Sequence, residues 1–167
     1  MINIETDPRF FPMHTPASPN RRQFLRTAVP FIVSPATLGR AGAVSPNGKV
    51  RVACIGVGGQ GTSNLRALMG DERVQIVAVC DVDAQHAEAA AKIAGLSKGD
   101  VYRDFREVLA RSDVDAIMNA TPDHWHSNVA IAAAKAGKDL YSEKPLGASI
   151  VEGRAICRAV EENKRVL

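Results

Sequence analysis

The sequence predicts an α/β fold, a doubly wound parallel sheet that starts near residue 49. Two observations carry this expectation. Short apolar runs alternate with segments of helical spacing from Lys49 to Leu167, the pattern of strands joined by crossover helices. Right-handed crossovers then place helices on both faces and ligands at the carboxyl ends of the strands. A glycine-rich turn, Gly56-Val57-Gly58-Gly59-Gln60-Gly61, separates the first apolar run from the first helical segment.

The elements follow in order. Val50–Ile55 is the first strand, and Leu65, Leu68 and Met69 give helical spacing after it. Val74–Cys80 is the second strand. Asp83 is placed to cap a helix with the apolar face Ala87, Ala90, Ala91 and Ala94, which Gly95 ends. Val101-Tyr102 makes a short third strand. Asp104 and Glu107 resemble a capping box ahead of Phe105, Val108 and Leu109. Ala116–Ala120 is the fourth strand, and Ser127 is read as the cap of a helix running to Ala136 and closed by Gly137. Asp139–Ser142 is the fifth strand. Ser149 and Glu152 form another capping box before Ile156, Ala159 and Val160, and Arg165-Val166-Leu167 reads as a sixth strand just begun.

The domain organisation expected is a leader over residues 1–48 and one folded domain over 49–167. Seven Pro residues from Pro8 to Pro46 interrupt every candidate element of the leader. Within it, Arg21-Arg22-Gln23-Phe24-Leu25-Arg26 resembles a twin-arginine export signal. An apolar stretch from Ala28 to Leu38 and the small residues Ala41-Gly42-Ala43 follow, the order of a cleavable signal peptide. The expected partner is the twin-arginine export machinery and the expected location periplasmic; a basic tail on a cytoplasmic protein is the alternative. Met13 stands beside Met1 as a candidate start.

Composition narrows the function classes. Residues 1–43 hold five Arg against Glu5 and Asp7, so the whole formal charge of +3 belongs to the leader. The remainder is balanced, which argues against nucleic-acid binding. One Trp and two Tyr are too few for a base-stacking platform. Cys54, Cys80 and Cys157 contain no CxxC pair, Cys54 and Cys80 fall in apolar strands, and no metal site is visible. No apolar run reaches the ~20 residues of a membrane-spanning helix.

The glycine turn carries the first chemistry. After a strand and before a helix, and with Asp81 ending the next strand, GxGxxG is the dinucleotide-binding fingerprint of a Rossmann fold. Gly56 makes the tight turn, Gly58 admits the pyrophosphate to the backbone, and Gly61 lets the helix pack on the strand. Helix-start N–H groups and the positive dipole end attract phosphate. Asp81 accepts hydrogen bonds from the adenosine ribose, and its charge opposes the extra phosphate of NADP. The same two motifs suit a methyltransferase, so they do not separate hydride from methyl transfer.

Two later runs do. Thr121-Pro122-Asp123-His124-Trp125-His126 and Glu143-Lys144-Pro145 fall at the carboxyl ends of the fourth and fifth strands, on the ligand side. Together with Tyr102-Arg103-Asp104-Phe105-Arg106, they make Lys49–Leu167 closely resemble the Gfo/Idh/MocA oxidoreductases. The resemblance implies NAD as cofactor, with NADP second. It implies that Gly56, Val57, Gly58, Gly59, Gln60 and Gly61 hold the pyrophosphate and Asp81 the adenosine ribose. Thr121, Pro122 and His126 then line the nicotinamide side, and Glu143 and Lys144 contact the cofactor there. Lys144 is the implied catalytic residue, a cation reaching the nicotinamide ribose and the substrate hydroxyl. His124 and Trp125 are implied pocket walls.

The substrate implied is a small molecule, a sugar or polyol. Full-length relatives carry a second, antiparallel α/β domain and are homo-oligomers. That substrate domain is expected to be absent from this chain, which leaves the chain inactive by itself. Two alternatives stay open: a non-catalytic NAD-binding module, and an NAD-dependent glycosidase of the same family.

Overall fold

The computed structural model describes residues 48–167. The export motif at Arg21-Arg22 and the Ala41-Gly42-Ala43 run lie outside the described residues. The elements are β1 (Val50–Ile55), α1 (Gly59–Met69), β2 (Val74–Cys80), α2 (Ala84–Ala94), a single 3-10 turn (Lys98–Asp100), β3 (Val101–Tyr102), α3 (Phe105–Leu109), β4 (Ala116–Asn119), α4 (Asp123–Lys135), β5 (Asp139–Ser142) and α5 (Ile150–Glu162). All strand pairs are parallel and the sheet order is β3-β2-β1-β4-β5. This is a Rossmann-like α/β fold, as the alternation of runs requires.

The two faces divide the side chains of each strand. Val52 and Cys54 of β1 point into one apolar layer, with Leu65 of α1 and Ala90 and Ala91 of α2. Ala53 and Ile55 point into the other, with Val108 and Leu109 of α3, Val129, Ala130, Ala133 and Ala134 of α4, and Ile156 and Ala159 of α5. Period-two alternation thus buries both sides of a central strand. One residue breaks it. The register of β1 on β2 slips between Val52/Ile76 and Ala53/Ala78, leaving Val77 as an extra residue. Val77 and Ala78 therefore share a face, the signature of a β-bulge. The apolar run Ile76–Cys80 gives no sequence cue for such a slip.

Helix ends follow local chemistry. The Asp83 carboxylate accepts from the N–H groups of Gln85 (2.8 Å) and His86 (3.4 Å), and Gly95 closes α2 in the left-handed conformation. Asp104 caps α3 by accepting from Arg106 N–H. Glu107 makes no return bond to it among the described residues, so half of the expected box forms. Ser149 Oγ accepts from Glu152 N–H, and Glu152 Oε2 accepts from Ala148 N–H, one residue ahead of the expected position.

Two expectations need correction. Helix α4 begins at Asp123 behind Pro122, not after Ser127, which is buried inside it. The fixed φ of Pro122 starts the helix, and the Trp125 N–H donates to the Pro122 carbonyl. Arg165-Val166-Leu167 is not a strand. It meets β5 through one backbone bond, Leu140 N–H to Val166 carbonyl (2.8 Å), while the Asp139 side chain takes the Val166 N–H.

Lys138 is buried although charged, because its Nζ donates to the carbonyls of Arg111 (2.7 Å) and Val114 (2.8 Å) at the approach to β4. Buried ammonium groups persist when their donors are used. Lys138→Met should leave both carbonyls without that donor and cost about 1–3 kcal/mol, read from the urea-denaturation midpoint. A loss under about 0.5 kcal/mol, the range of ordinary surface changes, would rule out a stabilising role for these bonds.

Candidate functional site

The carboxyl ends of β1, β2 and β4 meet at one cleft, and the glycine turn forms its floor. Gly56 has φ +77°, and a Cβ there would lie 2.6 Å from Thr121 N and 2.7 Å from the Ala120 carbonyl. Only glycine satisfies both the left-handed backbone and the close approach. A Cβ on Gly61 would lie 1.8 Å from the Gly56 carbonyl oxygen, so helix α1 packs directly on the turn. Gly58 differs: a Cβ there would meet only the His86 ring, at 3.7 Å.

No side chain caps α1 at Gly58. The N–H groups of its first turn are free of intrahelical partners and point outward at the positive end of an eleven-residue helix. With open space over Gly58, this is a cradle for an anionic group. The residues present therefore fit a dinucleotide pyrophosphate.

Asp81 ties this cradle to the next strand. Its Oδ2 accepts from Val57 N–H (2.8 Å) and its Oδ1 from Asp83 N–H (3.0 Å). Each oxygen keeps a second lone pair for a ligand hydroxyl. The His86 ring stands 3.9 Å from Oδ2. Above Asp81 opens a cavity of about 600 Å3, with Gly56, Gly58, Asp81, Asp83, His86, Arg103, Phe105, Thr121, Pro122, His124 and Trp125 in its walls. Phe105 and Trp125 meet edge to face at 6.2 Å, an arrangement favoured by the ring quadrupoles. An aromatic wall beside a carboxylate is suited to a planar base joined to a ribose.

The second part of the site lies past β4 and β5. Asn119, fully buried at the end of β4, accepts from Thr121 Oγ1 (2.8 Å) and donates to the His126 carbonyl (3.2 Å). Its own carbonyl accepts from Glu143 N–H (2.9 Å). The Glu143 carboxylate accepts from Asn64 of α1 (2.8 Å) and from Gln60 (3.4 Å). The bond from Asn64, then that from Lys144 N–H, lowers its pKa from the ordinary Glu value. The Glu143-Lys144-Pro145 turn is thereby attached to the glycine helix. The Lys144–Pro145 peptide is cis. The Lys144 side chain is exposed, with no ion pair or hydrogen bond among the described residues.

Of the residues singled out from sequence, Gly56, Gly58, Asp81, Thr121 and Pro122 border the cavity, as do His124 and Trp125. Val57 is buried beneath it. Gly59 and Gln60 open α1, and Glu143 and Lys144 stand beside that helix. His126 is buried behind the wall, with both ring nitrogens on backbone carbonyls. The sequence reading passed over Asn119, Asn64, His86 and Arg103. A lone Asn in the apolar run Ala116–Ala120 was the one available cue.

Cys54 and Cys80 are buried, and burial pushes both thiols up to about 12. Among the described residues no group of three or more His, Cys, Asp or Glu could hold a metal. No helix among them is long and apolar enough to cross a membrane.

Comparison with known proteins agrees with this geometry. Residues 50–167 match the GFO_IDH_MocA oxidoreductase family, NAD-binding Rossmann fold. The chain is 37% identical over 123 residues to a glycosyl hydrolase family 109 protein of Saccharopolyspora erythraea, covering 70% of this chain and 27% of that protein. It is 30% identical over 115 residues to an inositol 2-dehydrogenase of Salmonella typhimurium, covering 68% and 34%. The crystal structure of the WlbA dehydrogenase from Bordetella pertussis, in complex with NADH and UDP-GlcNAcA, superposes with a TM-score of 0.65 at 27% identity, covering 70% and 36%. The chain thus spans about a third of the length of these relatives. With a family match over residues 50–167, and with the glycine turn, Asp81 and the Thr121-Pro122 turn bordering one cleft, the chain belongs to the Gfo/Idh/MocA oxidoreductases through their NAD-binding Rossmann fold.

Proposed function

We propose that this chain binds NAD and forms the cofactor half of a dehydrogenase acting on a sugar or polyol hydroxyl. The observation that carries the reading is the uncapped start of α1 over Gly58, set beside the Asp81 carboxylate at the foot of the aromatic-walled cavity. The first-turn N–H groups bind the pyrophosphate. Asp81 receives the adenosine ribose hydroxyls on its remaining lone pairs. Thr121 and Pro122 border the nicotinamide side. Bound nicotinamide supplies the hydride chemistry. Lys144, exposed beside the glycine helix, contacts the nicotinamide ribose and stabilises the substrate oxygen as its proton leaves.

NAD is preferred to NADP because the Asp81 charge faces the added phosphate. The expected difference is about 1.5–3 kcal/mol, the range for hydrogen bonds to a charged group. Titration of the chain with each cofactor tests it, and equal affinity both in the chain and in its Arg103→Ala variant would remove Asp81 from the ribose site. Arg103 lines the same cavity, so Arg103→Ala is titrated in parallel. If only the variant discriminates, Arg103 is what offsets the Asp81 charge.

The similarity to a glycosyl hydrolase family 109 protein favours a second reading, an NAD-dependent glycosidase. A dehydrogenase gives net NADH from a free sugar, whereas a glycosidase gives cleaved glycoside with no net redox change. A non-catalytic module would bind NAD and do neither.

The succession of Arg21-Arg22, the apolar stretch from Ala28 to Leu38 and Ala41-Gly42-Ala43 in the sequence supports export to the periplasm by the twin-arginine route, which carries folded, cofactor-loaded proteins. Changing Arg21 and Arg22 together to Lys should keep a reporter fusion inside the cell. A reporter still exported would show that Arg21-Arg22 is not the signal.

A further inference from the structure

His126 joins two turns that lie far apart in the sequence. Its Nε2 stands 2.7 Å from the Thr121 carbonyl oxygen and its Nδ1 2.5 Å from that of Pro145. Carbonyl oxygens only accept, so a ring nitrogen bonds its carbonyl when it carries the N–H. The ring is fully buried and does not border the cavity. Beyond Ser142, where the β4–β5 ladder ends, the Glu143-Lys144-Pro145 turn is held by few contacts. Glu143 bonds to Asn119, Asn64 and Gln60, and Pro145 meets His126.

We propose that His126 is a positioning residue that sets the spacing between the Thr121-Pro122 turn and the Glu143-Lys144-Pro145 turn, and so fixes where Lys144 stands. It acts from behind the cleft wall, without touching a ligand. Asn119 assists by binding the His126 carbonyl and the Thr121 hydroxyl together. The clamp stands on the geometry alone, and its consequence for the cofactor rests on the function proposed above.

Two amide substitutions separate the two contacts. In His126→Asn the side-chain nitrogen falls near the Nδ1 position and keeps reach of Pro145. In His126→Gln it falls near the Nε2 position and keeps reach of Thr121. Amide hydrogen exchange in the labelled chain reads each turn separately. The Glu143 and Lys144 amides should exchange about three- to tenfold faster in His126→Gln than in His126→Asn, the equivalent of one hydrogen bond. The Thr121 amide should show the reverse order. Equal acceleration of both turns in both variants is what a mere space-filling ring predicts, and it overturns the clamp.

In the unaltered chain, a ring N–H of His126 should be protected from exchange. Absence of any protected ring proton overturns the proposal even if neither variant folds. NADH binding, followed by nicotinamide fluorescence, should be about three- to tenfold weaker in His126→Gln than in His126→Asn. An unaltered chain that binds no NADH refutes the cofactor reading and leaves the exchange result to decide the clamp. Equal NADH affinity in the two variants, with turn exchange split as expected, overturns the link from clamp to cofactor.

Discussion

Gly61→Ala is expected to destabilise the chain by about 3 kcal/mol or more, the upper end of overpacking costs, and to abolish NAD binding. The added Cβ would sit 1.8 Å from the Gly56 carbonyl oxygen, less than two thirds of a normal contact. Relief requires either the turn or the helix to move. The turn has little room to yield, because even a Cβ on Gly56 would lie 2.6–2.7 Å from Thr121 N and the Ala120 carbonyl. Helix α1 must therefore shift, and its first-turn N–H groups leave the place where they face a pyrophosphate. The shift also pulls on Leu65, the buried anchor of α1, and on Asn64, which holds Glu143. Gly59→Ala is the control. Nothing lies within 4 Å of its Cβ position, so it should be neutral or stabilise by up to about 1 kcal/mol, the helix preference of Ala over Gly. Urea denaturation and NAD titration of both variants check this. A Gly61→Ala chain within about 1 kcal/mol of the parent, against the same overpacking scale, would show that α1 is not fixed by that contact.

Residues 49–167 expressed alone are expected to turn over no sugar or polyol. Hydride transfer needs two carbons held close, and positioning of this kind accounts for about 7–11 kcal/mol of a barrier. Among the described residues the cavity is open on the side away from β1, β2 and β4, and Lys144 and Trp125 are exposed. A half-site open to water supplies no such positioning. The sheet edge adds a solubility penalty. Strand β5 is the last strand of the sheet, and Arg165-Val166-Leu167 gives it one backbone bond. Ile150, Val151 and Val166 are exposed nearby in the chain. Unpaired edges with apolar neighbours invite association. The assay is NADH formation over a panel of sugars and polyols, with light scattering to follow aggregation. Robust turnover by the purified chain would refute the requirement for a second domain.

Local chemistry made much of this fold legible. Asp83, Gly95 and Ser149 mark helix ends because a carboxylate, a left-handed glycine and a hydroxyl act on backbone groups within a few residues. Ser127 misled for the same reason. It has the chemistry of a cap, but Pro122 had already started the helix five residues earlier. The glycine turn and Asp81 could be named because their order along one strand–helix–strand unit fixes their meeting.

What the sequence determined by itself is the parallel α/β layering, and the meeting of the glycine turn with Asp81 and the Thr121-Pro122 turn at the carboxyl ends of the strands. These follow from periodicity and from bonds short in sequence. Tertiary structure alone decided the rest. Lys138 is buried because two carbonyls 24 and 27 residues away converge on it. Val77 bulges because β1 and β2 must both fill two apolar layers. His126 faces away from the cleft because Pro145, 19 residues on, returns its carbonyl to the ring. Such partners are chosen by packing in three dimensions, and no local pattern in the chain encodes them.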